Sequence, residues 1–266
     1  MRTAVRRLLP GQTVLFFALA AAVTLLTATQ AAADEQRVSR FGIAIYGGVA
    51  SLSPSFVNDA IDETNEQTEL LLGLAPIEHI GAGPVFSLEG RFFISDALVA
   101  VLGAGTIRGN SSLDLLPQPE TDVVVEGNVR AIPIHAGLNY YFLPYTRGDF
   151  TLRPFTGGGF MGSVDSRVKV GAGYVSPDTT IDAFQRAVGN GAGFYLEGGV
   201  HAMIPSRYSF ILNIFYRNLK VRRLYAENSV GEIQGLLLDD DGNPAELDLS
   251  GLGIRLGVNI NILNRF

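Results

Sequence analysis

The stretch Ser250–Phe266, SGLGIRLGVNINILNRF, decides the fold. Leu252, Ile254, Leu256, Val258, Ile260 and Ile262 share one parity and are all aliphatic. Gly251, Gly253, Arg255, Gly257, Asn259 and Asn261 share the other and are small or polar. Successive side chains of a β-strand point to opposite faces, so this strand has one greasy face and one nearly bare face. A face turned to water would carry Lys, Glu, Asp and Arg at close intervals. The bore of a narrow barrel has room for little more than packed side chains, and the small, sparsely charged face suits it. The aliphatic face then belongs in lipid. In a soluble ligand-carrying barrel the two faces would be exchanged.

Seven further segments repeat the pattern: Phe41–Ala50, Val85–Ile94, Ala97–Ile107, Val129–Phe142, Phe150–Val164, Gly193–Ile204 and Tyr208–Leu219. In Val129–Phe142, Ile132, Ile134, Leu138, Tyr140 and Phe142 alternate with Pro133, His135, Gly137 and Asn139. Ala97–Ile107 is apolar on both parities, which leaves its register open. One such segment is a weak signal for a membrane β-strand, and eight in one chain are a strong one.

The connections alternate in length. Short turns fall at Ser95–Asp96, Pro144–Asp149 and Pro205–Arg207, with long connections at about 53–82, 108–125, 166–190 and 222–247. All tight turns then lie at one end, as in barrels with short periplasmic turns and long extracellular loops. The predicted fold is all-β, an eight-stranded antiparallel up-and-down transmembrane β-barrel. Aromatics gather beside the short turns: Phe92 and Phe93, then Tyr140, Tyr141, Phe142, Tyr145 and Phe150, then Tyr208 and Phe210, and finally Phe266. They are expected to form the periplasmic aromatic girdle at the headgroups.

Arg2, Arg6 and Arg7, the apolar run Val14–Leu26, and Ala31 and Ala33 before the first acids read as a cleaved secretory signal peptide over residues 1–33. Residues 34–266 are expected to form a single barrel domain. Three Arg leave with the signal, which takes the formal charge from −6 to −9 and argues against nucleic acid as a partner. The chain has no cysteine, hence no disulfide, thiolate metal site or lipoprotein anchor. Beyond the signal no apolar run is long enough for a membrane helix, so entry into a bilayer requires a closed barrel with every backbone amide paired.

The expected inward parity carries Glu89, Arg91, Arg153, Glu197, Arg217 and Arg255, with His135, His201 and Asn259 as further polar groups. They are expected to form a luminal network of ion pairs and hydrogen bonds, with Glu197 near Arg217 across the hairpin at Pro205–Arg207. Arginine forks suit such a site, because a few carboxylates can serve several donors. No catalytic group is expected. Neither His135 nor His201 has a hydroxyl beside it on its own strand, and no G-x-S-x-G elbow occurs. No metal or cofactor is expected either. Asp239, Asp241 and Asn243 begin like a calcium loop, but Pro244 stands where glycine is required. In the first long connection, Phe56, Val57, Ala60 and Ile61 after Ser55 suggest a short helix over the barrel mouth. Its Asp59, Asp62, Glu63, Glu66 and Glu69 make a solvated acidic lid, or a contact to lipopolysaccharide through divalent cations. His79 reads as a lone solvated loop residue.

The segments IPIHAGLNYYF, LRPFTGGGFMG and GAGFYLEGGVHAMI, and the terminal NRF, resemble small outer-membrane β-barrel proteins, in particular the OmpW and OmpA transmembrane-domain families. Arg153, Pro154, Phe155, Gly157 and Gly159 hold the place of a recurrent arginine–proline–aromatic strand motif, with Phe where Tyr is more usual. The resemblance covers roughly residues 41–266. It implies the outer membrane of a Gram-negative bacterium, with lipids and lipopolysaccharide as neighbours and Phe266 as the signal read by the outer-membrane assembly machinery. It says little about activity. An envelope-structural role with surface loops free for interaction is the first expectation. The alternatives are a narrow conduit for small or hydrophobic solutes, as the OmpW resemblance allows, and a soluble periplasmic ligand-carrying barrel.

Overall fold

The computed structural model of the protein describes residues 41–72, 76–114, 122–176, 179–204, 208–239 and 241–262. The expected signal segment 1–33, the turn at Pro205–Arg207 and the terminal Phe266 lie outside the described residues. Thirteen strand segments and one helix follow in the order β1 (Phe41–Ser51), α1 (Ser55–Leu72), β2 (Ala82–Phe93), β3 (Leu98–Asp114), β4 (Asp122–Ala131), β5 (Pro133–Tyr141) and β6 (Tyr145–Arg147). Then come β7 (Phe150–Ser176), β8 (Thr179–Met203), β9 (Tyr208–Val221), β10 (Tyr225–Glu227), β11 (Ile233–Leu236), β12 (Leu247–Asp248) and β13 (Gly251–Asn261).

Eight staves account for the wall, because β4 and β5 form one stave interrupted at Ile132 and the short segments are appendages. Antiparallel pairing runs from β1 through β2, β3, β4/β5, β7, β8 and β9 to β13. The last stave then pairs with the first, from Gly42 opposite Asn261 to Ala50 opposite Gly253. Within this ring no stave is left with an open edge among the described residues, which is the condition for a sheet to cross a bilayer.

The faces lie as the sequence predicts. Leu252, Ile254, Leu256 and Val258 point outward, Leu256 being 59% exposed, and Gly253, Arg255, Gly257 and Asn259 are buried in the bore. Leu88, Leu138, Leu196, Leu212 and Ile214 extend the same outer band around the ring. The uncertain stave is settled by its partners: Val99 and Val101 face in, Leu102 faces out, and Gly103 lies between Glu89 and His135 in register.

Two of the four long connections are shorter than expected. β3 runs to Asp114 and β4 resumes at Asp122; β7 runs to Ser176 and β8 resumes at Thr179. Their faces are reversed relative to the staves below. Val125, Val129, Val168 and Val170 are buried inside, and Glu126, Arg130, Arg167 and Lys169 point outward. This is the pattern of a water-soluble sheet, so a reading tuned to a lipid-facing apolar parity takes these residues for loop. On β7 a bulge makes the change. Between Ser163 and Ser166 the strand gains one residue over β8, whose Gly191 and Gly189 are the partners. That extra residue flips the parity and turns Arg167 and Lys169 away from the bore. Ser163 Oγ fastens the bulge, 2.7 Å from Ser166 Oγ, while accepting the amide of Gly191 at 2.9 Å.

Above the outward aliphatic band the barrel is filled by an apolar core. Val57 and Ile61 of α1 pack there with Leu52, Ile80, Ile107, Val129, Val168, Leu219 and Leu247. The expected helix therefore forms, and it is an inserted cap: Val57 and Ile61 are wholly buried, Phe56 and Ala60 partly so, and Asp59, Asp62, Glu63, Glu66 and Glu69 face water. Ser55 is its first residue. Asn58 and Asn65, two turns apart, tie the returning chain to the helix by accepting the amides of Ile80 and Ile77 at 2.9 and 2.8 Å. His79 is not alone, since its Nε2 lies 2.8 Å from Asp62 Oδ1.

Candidate functional site

The bore is a stack of polar layers built from the small parity. At mid-height Arg255 of β13 reaches across the lumen. Its Nη1 lies 2.7 Å from Glu89 Oε1 on β2, and its Nη2 donates to Glu197 Oε2 on β8 at 2.7 Å. Its Nε donates to Asn213 Oδ1 at 3.0 Å, and its guanidinium stacks 4.2 Å from the Tyr46 ring centre. Glu197 also accepts from Asn139 at 2.7 Å and Asn213 at 2.5 Å, and Glu89 meets His135 Nε2 at 3.1 Å. Every charge in this layer has several partners, as buried charges must. Two glutamates face two arginines, for Arg91 stands 3.7 Å below Glu89 Oε2.

Arg91, 0% exposed, organises the layer toward the short turns. It donates to Tyr46 Oη at 2.5 Å and to Tyr141 Oη at 2.7 Å. Tyr141 Oη is 3.0 Å from His201 Nδ1, and His201 Nε2 is 2.7 Å from Ser209 Oγ. Asn259 donates to the same Ser209 Oγ at 3.3 Å and to Asn261 Oδ1 at 3.0 Å.

Two predicted members stand apart from the ion pairs. Arg217 does not meet Glu197. Register places Glu197 opposite Phe215 and Arg217 opposite Tyr195, one inward position higher. There Arg217 donates to the carbonyls of Leu249 at 2.6 Å and Ser51 at 3.1 Å, bracing the rim against the apolar core. Arg153 is half-buried at the opposite end and donates to the Asp96 carbonyl at 2.7 Å, with its guanidinium 5.2 Å from the Tyr141 ring centre. Between the Arg255 layer and the apolar core lies a cavity of about 50 Å³ bordered by His135, Met161, Tyr195, Phe215 and Arg217. At ~15 Å³ per water it accommodates roughly three.

Of the residues expected in the girdle, Phe92, Tyr140, Phe142 and Tyr208 are all exposed beside the short turns. Tyr141 and Phe155 turn inward and are buried. Tyr141 has the parity of His135 and Asn139, a signal that its place in an aromatic cluster masks. Tyr46, Asn213 and Ser209 are network members that sequence reasoning missed. Each is a polar residue on an inward parity whose partners lie on other staves. Ser209 also supplies the hydroxyl that His201 lacks on its own strand. His201 and Ser209 are each 1% exposed, so the pair is walled in.

Among the described residues no group of three or more His, Asp or Glu side chains could hold a metal. The Asp239 segment is a side-chain-capped turn, in which Asp239 Oδ1 accepts the amides of Asp241 at 3.1 Å and Asn243 at 2.7 Å.

No family model matches the chain, and no curated protein matches it. Solved structures do resemble it. The outer membrane protein OprG from Pseudomonas aeruginosa aligns over 85% of this chain and 98% of its own, with 14% identity and a TM-score of 0.46. Neisserial surface protein A aligns over 85% and 100%, with 13% identity and a TM-score of 0.42. Ail, the attachment invasion locus protein of Yersinia pestis, aligns over 84% and 100%, with 10% identity and a TM-score of 0.33. The predicted resemblance to small outer-membrane β-barrel proteins is thus found again among solved structures.

Proposed function

We propose that the protein is an integral outer-membrane β-barrel with a structural role in a Gram-negative envelope, its bore closed and its folded upper end offered to the outside for interaction. The carrying observation is Arg255, whose guanidinium spans the lumen and holds Glu89 and Glu197 on opposite sides of it. A solute passing the bore would have to separate both buried ion pairs and then displace the apolar core that α1 completes. Breaking one such pair is strongly destabilising. This favours a sealed barrel over a conduit, and the outward aliphatic band favours a membrane protein over a soluble carrier.

Planar-bilayer recording tests the closed bore. Purified wild-type protein should add no stepwise conductance, and regular unitary steps would overturn the reading. Extraction tests the membrane assignment. The protein should stay with the membrane pellet through a high-salt wash and leave it only in detergent, and release by salt would return the soluble-carrier reading.

A further inference from the structure

The outer wall carries a row of three arginines on neighbouring staves. Arg108 of β3 lies directly opposite Arg130 of β4, and Arg130 directly opposite Arg167 of β7. All three are exposed, while Ile107, Val129, Ala131 and Val168 beside them in the chain are buried. Residues directly opposed across strands hold their Cβ atoms ~5 Å apart, and like charges so placed weaken the pairing. Asp165 is the one carboxylate touching the row among the described residues, 2.9 Å from Arg167 Nε. Arg108 and Arg130 make no ion pair among the described residues. One outward position further up β7, Lys169 is paired to Glu126, so cations at this end are not left bare for want of acid. An acidic chain has placed three arginines where they repel one another.

Their level explains the arrangement. Outward from the short turns, β3 presents Leu102, Ala104 and Thr106 before Arg108, and the β5/β4 stave presents Leu138, Ala136, Ile134 and Ile132 before Arg130. The row is the first charge met on those two faces and marks the top of the acyl-chain band, where lipid phosphates stand. A guanidinium offers two parallel N–H bonds to phosphate oxygens. We propose that Arg108, Arg130 and Arg167 form a binding site for the phosphate-bearing headgroup of an outer-leaflet lipid whose acyl chains lie on the apolar wall below. The site rests on the membrane reading above. It commits to a lipid over a soluble phosphate because the arginines continue directly from the lipid-facing band, which a free anion would not use.

The test uses the full protein in phosphatidylcholine nanodiscs containing a minor share of a bisphosphorylated glucosamine-disaccharide lipid. Detergent release is followed by native mass spectrometry of bound lipid, and heat-modifiable gel mobility reports insertion separately. Wild type should retain the phosphoglycolipid in preference to phosphatidylcholine. R108Q/R130Q/R167Q should insert normally, because it relieves repulsion, and should lose about tenfold or more of that retention, since even one charge-assisted bond is worth roughly this factor. The triple lysine variant should retain an intermediate amount, and R147Q, altered at the short-turn end, should match wild type. Equal retention by the triple glutamine variant, no lipid preference in wild type, or full displacement by equimolar inorganic phosphate would each overturn the lipid site while leaving an inserted barrel. Failure to insert would overturn the membrane reading itself, and the site with it.

Discussion

Arg255 and Glu197 meet over a strand that lies between them. β13 and β8 are separated by β9, yet Arg255 Nη2 is 2.7 Å from Glu197 Oε2. The contact crosses the bore, and the Tyr46 and Phe215 rings, seated over the bare α-carbons of Gly257 and Gly253, hold the guanidinium between them. Arg255→Leu would strand Glu89 and Glu197 in the bore with one cation fewer. Removing one partner of a buried pair costs about 3–5 kcal/mol, so its unfolding midpoint in urea and detergent should fall well below that of wild type. Adding only Glu197→Gln to Arg255→Leu should recover much of the loss, because Glu89 then keeps Arg91 as its counter-charge and no buried charge is left over. If the single variant unfolds at the wild-type midpoint, the network does not hold the barrel together.

Gly103 and Gly90 make a matched pair with opposite expectations. A Cβ on Gly103 would sit 2.6 Å from His135 Cε1 and 2.8 Å from Glu89 Cγ, whereas one on Gly90 meets nothing nearer than Phe41 Cζ at 3.6 Å. Gly103 separates the two polar groups in register, and their contact passes over its bare α-carbon. Gly103→Ala should destabilise by about 1–3 kcal/mol, the usual range for overpacking. Gly90→Ala, on the lipid side, should be close to neutral. Thermal gel-shift midpoints of the two variants check the difference. A reversed order would place Gly103 outside the bore.

How legible this was depends on whether a property is local to one strand. Leu252 to Val258 display their two faces in the chain itself, so the wall, its orientation and the inward set Glu89, Arg91, Glu197, Arg255, His135 and His201 could all be read by counting in twos. Which inward residues touch could not, because that depends on stagger between strands that are not neighbours in sequence. Arg217 shows this: one hairpin from Glu197, it lands one inward position too high. Tyr141 was readable by parity and was drawn to the girdle by its aromatic neighbours. The strand extensions were hidden for a different reason. Above the outward aliphatic band the outer face turns polar, so the apolar parity inverts, and on β7 the single added residue between Ser163 and Ser166 achieves this without any marker in composition.

Asp248 gives the upper rim a specific response to acid. Burial pushes its carboxyl up, but the Ser250 hydroxyl and amide and the nearby Lys220 outweigh this and hold it below the usual carboxylate range. A carboxyl lower in the folded than in the unfolded state stabilises fully above the unfolded value, ~3.9, and that contribution fades as pH falls through the lowered one. Asp248 is half-buried and the side chain of its partner Lys220 is partly exposed, so the pair is worth only ~0.2–1 kcal/mol. Protection of the Leu249 and Ser250 amides, measured against their intrinsic exchange rate, should therefore be full at pH 5 and fall only below pH ~3.9. Asp248→Asn should exchange faster at pH 5 and show no such step. A step near neutrality in the wild type would contradict the assignment.

The cap and the ring should come apart experimentally. Ile61 is fully buried, and its Cδ1 lies where a Cβ on Gly127 would come within 2.8 Å, so α1 rests directly on the bare face of β4. The eight staves, by contrast, pair all round the ring without α1. Loss of Ile61 contacts should then loosen the helix while the ring survives. Ile61→Ala removes three buried carbons, and such changes cost about 2–5 kcal/mol where the site cannot collapse. Limited proteolysis of reconstituted vesicles should cut the variant between Leu52 and Ile80, while its heat-modifiable mobility stays that of wild type. Asp62→Ala, on the solvated side of the same helix, should remain resistant. If Ile61→Ala also abolishes the mobility shift, cap and barrel form one cooperative unit, and the apolar core above the lipid band is then required for the ring to close.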